Sequence, residues 1–195
     1  MIKYPVRIEH IKKCYDFSKS IIENGNQYNR FQKSAEMQIA RTFVGKLGEY
    51  IFLLYLRSMR IPYPLTDMFR IYQGTSNVDS YDFVTDTKET IDIKVASKSY
   101  HRRIMVPVDQ FKLKKDFYVG IKINFKLGAN KAIDIRSANT AYIYGYATRE
   151  TLENTEVANF GEGLCRHYPL EKLQSIDKLL DKFNKNIYNT QTSFL

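Results

Sequence analysis

Asp92 and Lys94 stand two residues apart in Thr90-Ile91-Asp92-Ile93-Lys94-Val95, with Ile91 and Ile93 alternating between them. A period of two marks a strand and puts the carboxylate and the ammonium on one face, the isoleucines on the other. Upstream, Ser80-Tyr81-Asp82-Phe83-Val84 reads as a second strand, and Asp86-Thr87-Lys88 as the polar turn of a hairpin joining the two. Such a hairpin carries Asp82 across the ladder towards Asp92. Two carboxylates held together repel each other, and a divalent cation explains the arrangement, because hard oxygen ligands suit Mg²⁺ and leave it several waters. An ion so placed polarises a phosphodiester, orients and acidifies the attacking water and stabilises the leaving oxygen. A neighbouring lysine assists the water or neutralises charge on the pentavalent phosphorus. Two carboxylates and a lysine are therefore the parts that phosphodiester hydrolysis needs. The ordinary alternative is a solvated strand face with an ion pair. Asp79 and Asp86 compete with Asp82 for the partner role, and the apolar pair Phe83-Val84 favours Asp82.

Asp82, followed ten residues later by Asp92-Ile93-Lys94, resembles the signature of the PD-(D/E)xK nuclease superfamily, which includes restriction endonucleases, Holliday-junction resolvases and recombination exonucleases. Upstream, Gly45-Lys46-Leu47-Gly48-Glu49 is similar to the helical G-x-x-G-E of many members. Val106-Pro107-Val108-Asp109-Gln110-Phe111, Asp116-Phe117-Tyr118-Val119 and Ala141 to Glu150 also look like one subset of the superfamily. The resemblance runs from about Lys46 to Leu180, with Tyr81 standing where the family name has its proline. It implies an α/β/α restriction-endonuclease-like core and a metal site of Asp82, Asp92 and Glu49 holding Mg²⁺, with Mn²⁺ as a substitute. It further implies cleavage of DNA to leave a 3′-hydroxyl and a 5′-phosphate. The specific expectation is a type II restriction enzyme on double-stranded DNA, working as a homodimer because a two-fold DNA site matches a two-fold protein. A structure-selective nuclease of the resolvase or repair kind uses the same residues. The contrasting expectation is a non-catalytic nucleic-acid-binding module.

Around this centre, Lys98, His101, Arg102 and Arg103 form a basic run just past the second strand, either a solvated face or a phosphate clamp. With Lys46 and Gln110 they are the candidate nucleic-acid contacts. Gln110 equally suits a capping role, and Glu49 suits a plain helix-surface pair with Lys46. The alternating Tyr142, Tyr144 and Tyr146 are expected on one strand face, packed against a helix. Base recognition is assigned to Phe69–Asn77 and Asn124–Thr140.

The elements that must position these residues follow from periodicity. Arg7 to Glu23 reads as an amphipathic helix ended by Asn24-Gly25-Asn26. A longer helix from Ser34 to Met59 carries Ala40, Phe43, Val44, Leu47, Ile51 and Leu54 at three-to-four spacing, and Ile61-Pro62-Tyr63-Pro64 stops it. Beyond the hairpin, strands are expected at 103–106, 117–125, 132–135 and 141–147, a short helix at 108–114, and a terminal helix at 169–183. The sum is an α+β chain with a mixed central sheet flanked by helices, one domain over 1–195 with an N-terminal helical segment of about 1–30. Hydrophobic residues at 44% allow a real core. The widely separated Cys14 and Cys165 form neither a disulfide framework nor a zinc knuckle, and they suit a reducing cytoplasm. No apolar run has the length of a membrane span. Thirty Lys and Arg against 21 Asp and Glu leave +9, which favours a polyanionic partner.

Overall fold

The computed structural model describes residues 1–23, 34–63, 68–70, 81–128, 132–161 and 163–183. Along the chain run β1 (Ile2–Pro5), α1 (Ile8–Glu23), α2 (Ala35–Ser58), β2 (Phe83–Val84), β3 (Thr90–Ala96) and β4 (Arg103–Pro107). There follow α3 (Val108–Phe111), β5 (Phe117–Ile123), β6 (Lys126–Leu127), β7 (Ile133–Asp134) and β8 (Thr140–Thr148). The described chain closes with α4 (Arg149–Glu153), β9 (Val157–Asn159), β10 (Leu164–Pro169) and α5 (Asp177–Leu180). Among the described residues no helix is long and apolar enough to cross a membrane.

The result is α+β, with a mixed sheet at its centre. Five strands pair in the order β1-β8-β5-β3-β2, with β3 and β5 parallel and the other neighbours antiparallel. Parallel neighbours need a crossover, and β4 with α3 supplies it. Every residue of β5 is buried, as expected of a strand covered on both faces. On one face α1 and α2 pack Phe43, Leu47 and Ile51 over Ile91, Ile93, Val119 and Ile121. On the other, a small sheet β4-β10-β9 with α3 and α4 buries Ile104, Val106, Phe111, Tyr118, Leu152 and Leu170.

Helix α2 begins where the sequence places it, because the Ser34 hydroxyl accepts the N–H of Met37. Other expectations are corrected. The N-terminal segment opens with a strand, β1, which joins the main sheet against β8. The terminal helix over 169–183 is broken: β10 ends at Pro169, a 3₁₀ turn spans Leu170–Lys172, and α5 covers only Asp177–Leu180. Its apolar residues are sheltered, but in two places. Leu170 and Leu173 serve the second core, whereas Ile176, Leu179, Leu180 and Phe183 serve the first. Between the two groups Gln174 exchanges backbone hydrogen bonds with Tyr146 (3.0 and 2.9 Å). Helical spacing thus belongs to a segment that crosses from one face of the sheet to the other.

The tyrosines of β8 do not share a face. The β5–β8 register shifts between Gly120 and Ile121, so that Gly145 opposes Gly120 and Ile143 opposes Ile121. This bulge sends Tyr144 to the second core and Tyr146 to the first. Gly145 takes φ +146°, and a Cβ there would lie 2.0 Å from the Gln174 carbonyl oxygen.

Closest to the hairpin, α2 lies on β3 at Gly48, where a Cβ would stand 2.2 Å from Val95 Cγ2. Valine is stiff at χ1 and cannot swing clear cheaply. Gly48→Ala is therefore expected to lower unfolding stability by about 1–3 kcal/mol, read from denaturant midpoints. Adding Val95→Ala should restore part of the loss, and a neutral Gly48→Ala would show that the helix is free to lift.

Candidate active site

The hairpin forms, and its shortness shapes the site. Only Phe83↔Ile91 and Val84↔Thr90 pair as β2 and β3. Continuing that register by one step sets Asp82 opposite Asp92. There the side chain takes over from the backbone ladder: the Asp82 N–H donates to Ile91 O (3.0 Å), and Asp82 Oδ2 accepts the N–H of Ile93 (2.6 Å). Asp82 is thereby fixed along the edge of β3, where groups from both faces of the sheet act on it. Its carboxyl is raised well above the usual aspartate range, first by burial, then by the negative charges of Glu49 and Asp92. The Ile93 N–H and the Lys94 ammonium pull the other way without prevailing.

Asp92 and Lys94 share the face turned away from α2, as their alternation implies. Lys94 Nζ lies 2.8 Å from Asp92 Oδ2 and donates to Gln110 Oε1 at 3.0 Å. Gln110 comes from α3, which is anchored by its next residue. Phe111 stacks on Tyr118 with centroids 5.9 Å apart, lies 4.4 Å beneath the Arg149 guanidinium, and accepts a 3.0 Å bond from that group at its carbonyl. The ammonium is thus held from two sides by an aspartate and an amide.

Glu49 arrives from the opposite face. It follows Gly48, the residue at which α2 lies closest against Val95 of β3. Lys46, one turn earlier, pairs with Glu49 Oε2 at 2.5 Å and lies over the ring of Phe17. The helix pair anticipated from the sequence exists, and Glu49 nevertheless bears on Asp82. It also bears on Cys14 of α1, whose thiol burial pushes up to about 12, making it an inert core group.

The basic run does not act as one unit. His101 closes a turn by donating its N–H to Lys98 O (2.9 Å), and the buried Lys122 ammonium ties that turn down through Ser99 O (2.9 Å) and His101 O (2.7 Å). Lys98 lies over the ring of Tyr100. Arg102 is exposed 3.9 Å from Glu171, and Arg103, on β4, contacts His167 Nδ1 at 2.9 Å. Of the rival aspartates, Asp86 is exposed in the hairpin turn and Asp79 lies outside the described residues. So do residues 71–77 and 129–131 of the two segments assigned to base recognition, and Asn24-Gly25-Asn26.

Two groups at the site escape sequence reasoning. Lys115, in the charged stretch Lys112-Leu113-Lys114-Lys115, looks like a loop lysine yet is buried, and its charged neighbours are Asp92, Asp82 and Lys94. Tyr118, paired in register with Asp92, is wholly enclosed, and its hydroxyl has no hydrogen-bond partner among the described residues. Only alternation along β5 hints that Tyr118 shares the face of Asp92.

Among the described residues no three His, Cys, Asp or Glu side chains converge as a ready-made metal cage. The donor chemistry still fits a hard divalent cation, since Asp82 and Asp92 offer oxygen ligands and the field on Asp82 is strongly negative. No protein-family model, curated protein or solved structure matches the chain.

A carboxyl whose folded pKa is raised binds its proton more tightly in the native state than in the unfolded chain. In chelator, the stability that Asp82 contributes is therefore expected to fall as pH rises from the ordinary value of 3.8 through the raised native value. Asp82→Asn removes this loss while keeping an oxygen for the Ile93 N–H. The metal-free variant should be more stable than the parent at neutral pH, and the two should converge in acid. Equal denaturation midpoints at pH 7 would show that Asp82 is not under this field.

Proposed function

We propose that this chain is a divalent-metal-dependent nuclease that hydrolyses phosphodiester bonds of DNA. The observation carrying the reading is the half-buried Asp82 carboxylate, held by the Ile93 N–H in the negative field of Asp92 and Glu49, with the Lys94 ammonium beside it. An acidic site of raised pKa is unfavourable for the fold by itself and is characteristic of functional sites. Asp82 and Asp92 would hold Mg²⁺ or Mn²⁺, with Glu49 completing the oxygen set from α2. When bound, the ion supplies Lewis-acid polarisation of the phosphodiester and a water of lowered pKa. Lys94, oriented by Asp92 and Gln110, donates to a phosphoryl oxygen or to the attacking water and stabilises the charge that builds on phosphorus. Gln110 has this positioning role in place of direct contact with nucleic acid.

In the same reading, the mixed sheet with its helical cover is a restriction-endonuclease-like core. The +9 charge supplies sequence-independent attraction to DNA. Arg102 and Arg103, both exposed, are the members of the basic run best able to reach a phosphate. We assign the chain most specifically as a cytoplasmic type II restriction enzyme acting on duplex DNA as a homodimer.

Incubation with phage DNA and Mg²⁺ should give cleavage that EDTA abolishes. Asp92→Ala and Lys94→Ala should each lower the rate by about 100-fold or more, while circular dichroism stays unchanged. Discrete bands would support restriction, and cutting confined to branched substrates would support the structure-selective alternative. Full magnesium-dependent cleavage by either variant would remove the assignment.

A further inference from the structure

Neither packing nor backbone conformation calls for Gly45, which lies inside α2. Gly48 and Gly120 are closed in by side chains, and Gly145 takes a positive φ. At Gly45 an added Cβ would meet no atom of the described residues within 4 Å. Glycine is the least favourable helix residue after proline, so alanine would suit the fold better here. Contacts along α2 locate the open spot. Phe52 packs edge-on against Phe83 of β2 (centroids 5.0 Å apart), Gly48 stands against Val95, and Phe43 meets Phe125 (5.9 Å). The Phe125 N–H in turn donates to Ser97 O (3.3 Å), just past β3. Helix α2 therefore runs antiparallel to β3. Gly45 lies between the levels of Val95 and Ser97, on the helical row that continues to Glu49.

Two further observations belong to the same end of β3. Among the described residues its outer edge is open there, because β2 pairs only with Ile91 and Thr90 and the Asp82 side chain takes the Ile93 N–H. Beyond Ser97 the chain presents Tyr100, 64% exposed, with the Lys98 ammonium 5.7 Å from its ring and the His101 ring edge-on at 4.9 Å. The buried Lys122 ammonium holds this turn through Ser99 O and His101 O. An exposed aromatic ring beside a cation suits a nucleotide, the base stacking on the ring and the phosphate meeting the charge. We propose that a strand of the nucleic-acid substrate runs from the Asp82, Asp92 and Lys94 site along the open edge of β3, over Gly45, to a base stacked on Tyr100. The inference rests on the nuclease reading above and names the path of the substrate through that site. Gly45 and Glu49 are roughly 6 Å apart along the helix axis, about two nucleotide steps of a stacked strand. The missing side chain leaves room for the nucleotides next to the scissile phosphate.

The test compares full-chain variants for melting temperature, Mn²⁺ binding and cleavage of phage DNA under Mg²⁺, or of a four-way junction if the parent cuts only branched DNA. Gly45→Ala should raise the melting temperature by about 2–4 °C and yet slow cleavage by about tenfold. Gly45→Leu should slow it by about 100-fold, and the alanine variant carries the test if leucine prevents folding. Both should bind Mn²⁺ as the parent does, because the carboxylates are untouched. Tyr100→Ala should weaken binding of cleavage-resistant phosphorothioate DNA by about tenfold, and Tyr100→Phe should bind it like the parent. Ala35→Leu, at an exposed position where α2 begins, should match the parent throughout. A lower melting temperature in Gly45→Ala would show that the protein itself fills the spot, and overturns the proposal. Parental cleavage by the Gly45 variants overturns it too, as does parental DNA binding by Tyr100→Ala. Asp92→Asn separates the two failures. If it abolishes cleavage while the Gly45 and Tyr100 variants match the parent, the path alone is wrong. If the parent cleaves neither DNA, or Asp92→Asn cleaves as the parent does, the nuclease reading fails and the path with it.

Discussion

A helix can lie on a strand only as closely as the side chains between them allow, and at Gly48 there is space for none. That contact joins the fold to the site. It lets α2 press Leu47 and Ile51 onto Ile91 and Ile93, closing the larger core. The next residue, Glu49, carries the charge that acts on Asp82. Ile93 then works in two directions. Its side chain is packed beneath α2, and its N–H points outward to the Asp82 carboxylate. Packing on one side of β3 thus fixes the backbone that orients acid groups on the other.

The electrostatics follow from this crowding. Asp92 and Glu49 each have a lysine in contact, Lys94 and Lys46 respectively. Asp82 accepts the Ile93 N–H and lies in the negative fields of both neighbours, and its carboxyl rises accordingly despite the nearby Lys94. Fold stability alone would favour an amide at this position. A fold that keeps an unfavourable carboxylate at a strand edge, with an oriented ammonium nearby, has the character of a site whose charge is meant for a ligand. The second layer, β4-β10-β9 with α3 and α4, supports the same centre from the other face. Arg166 donates to the carbonyls of Leu152, Glu153 and Thr155 at the end of α4, while Arg149, at its start, clamps Phe111 and so holds Gln110.

Much of this was legible in the residues. Alternation at Ile91-Asp92-Ile93-Lys94 specified the strand and the shared face, and the hairpin register brought Asp82 opposite Asp92. The 3.6-residue period marked α1 and the first half of α2, which bury one stripe, while beyond Gly48 the longer helix is enclosed on most sides at Ile51, Phe52, Leu53, Tyr55 and Leu56. Periodicity misleads where one segment serves two cores. Leu170 to Phe183 keeps helical spacing while crossing the sheet edge, and Tyr142, Tyr144 and Tyr146 keep strand spacing across a bulge that reverses the faces. β1 is too short for periodicity, and the polar Arg166 and His167 obscure β10. Lys115 had no signal at all, because its burial comes from the Asp116–Thr90 bonds between strands distant in sequence. Glu49 had one only through the glycine before it.

In the proposed nuclease, one hairpin gathers oxygen ligands for a cation beside Lys94. The most direct test of that arrangement is a crystal of the parent chain soaked in Mn²⁺ and measured at the manganese absorption edge. An anomalous peak at the Asp82 and Asp92 carboxylates is the predicted result. A peak confined to other carboxylates, with Asp82 still bonded only to the Ile93 N–H at saturating Mn²⁺, would contradict the account.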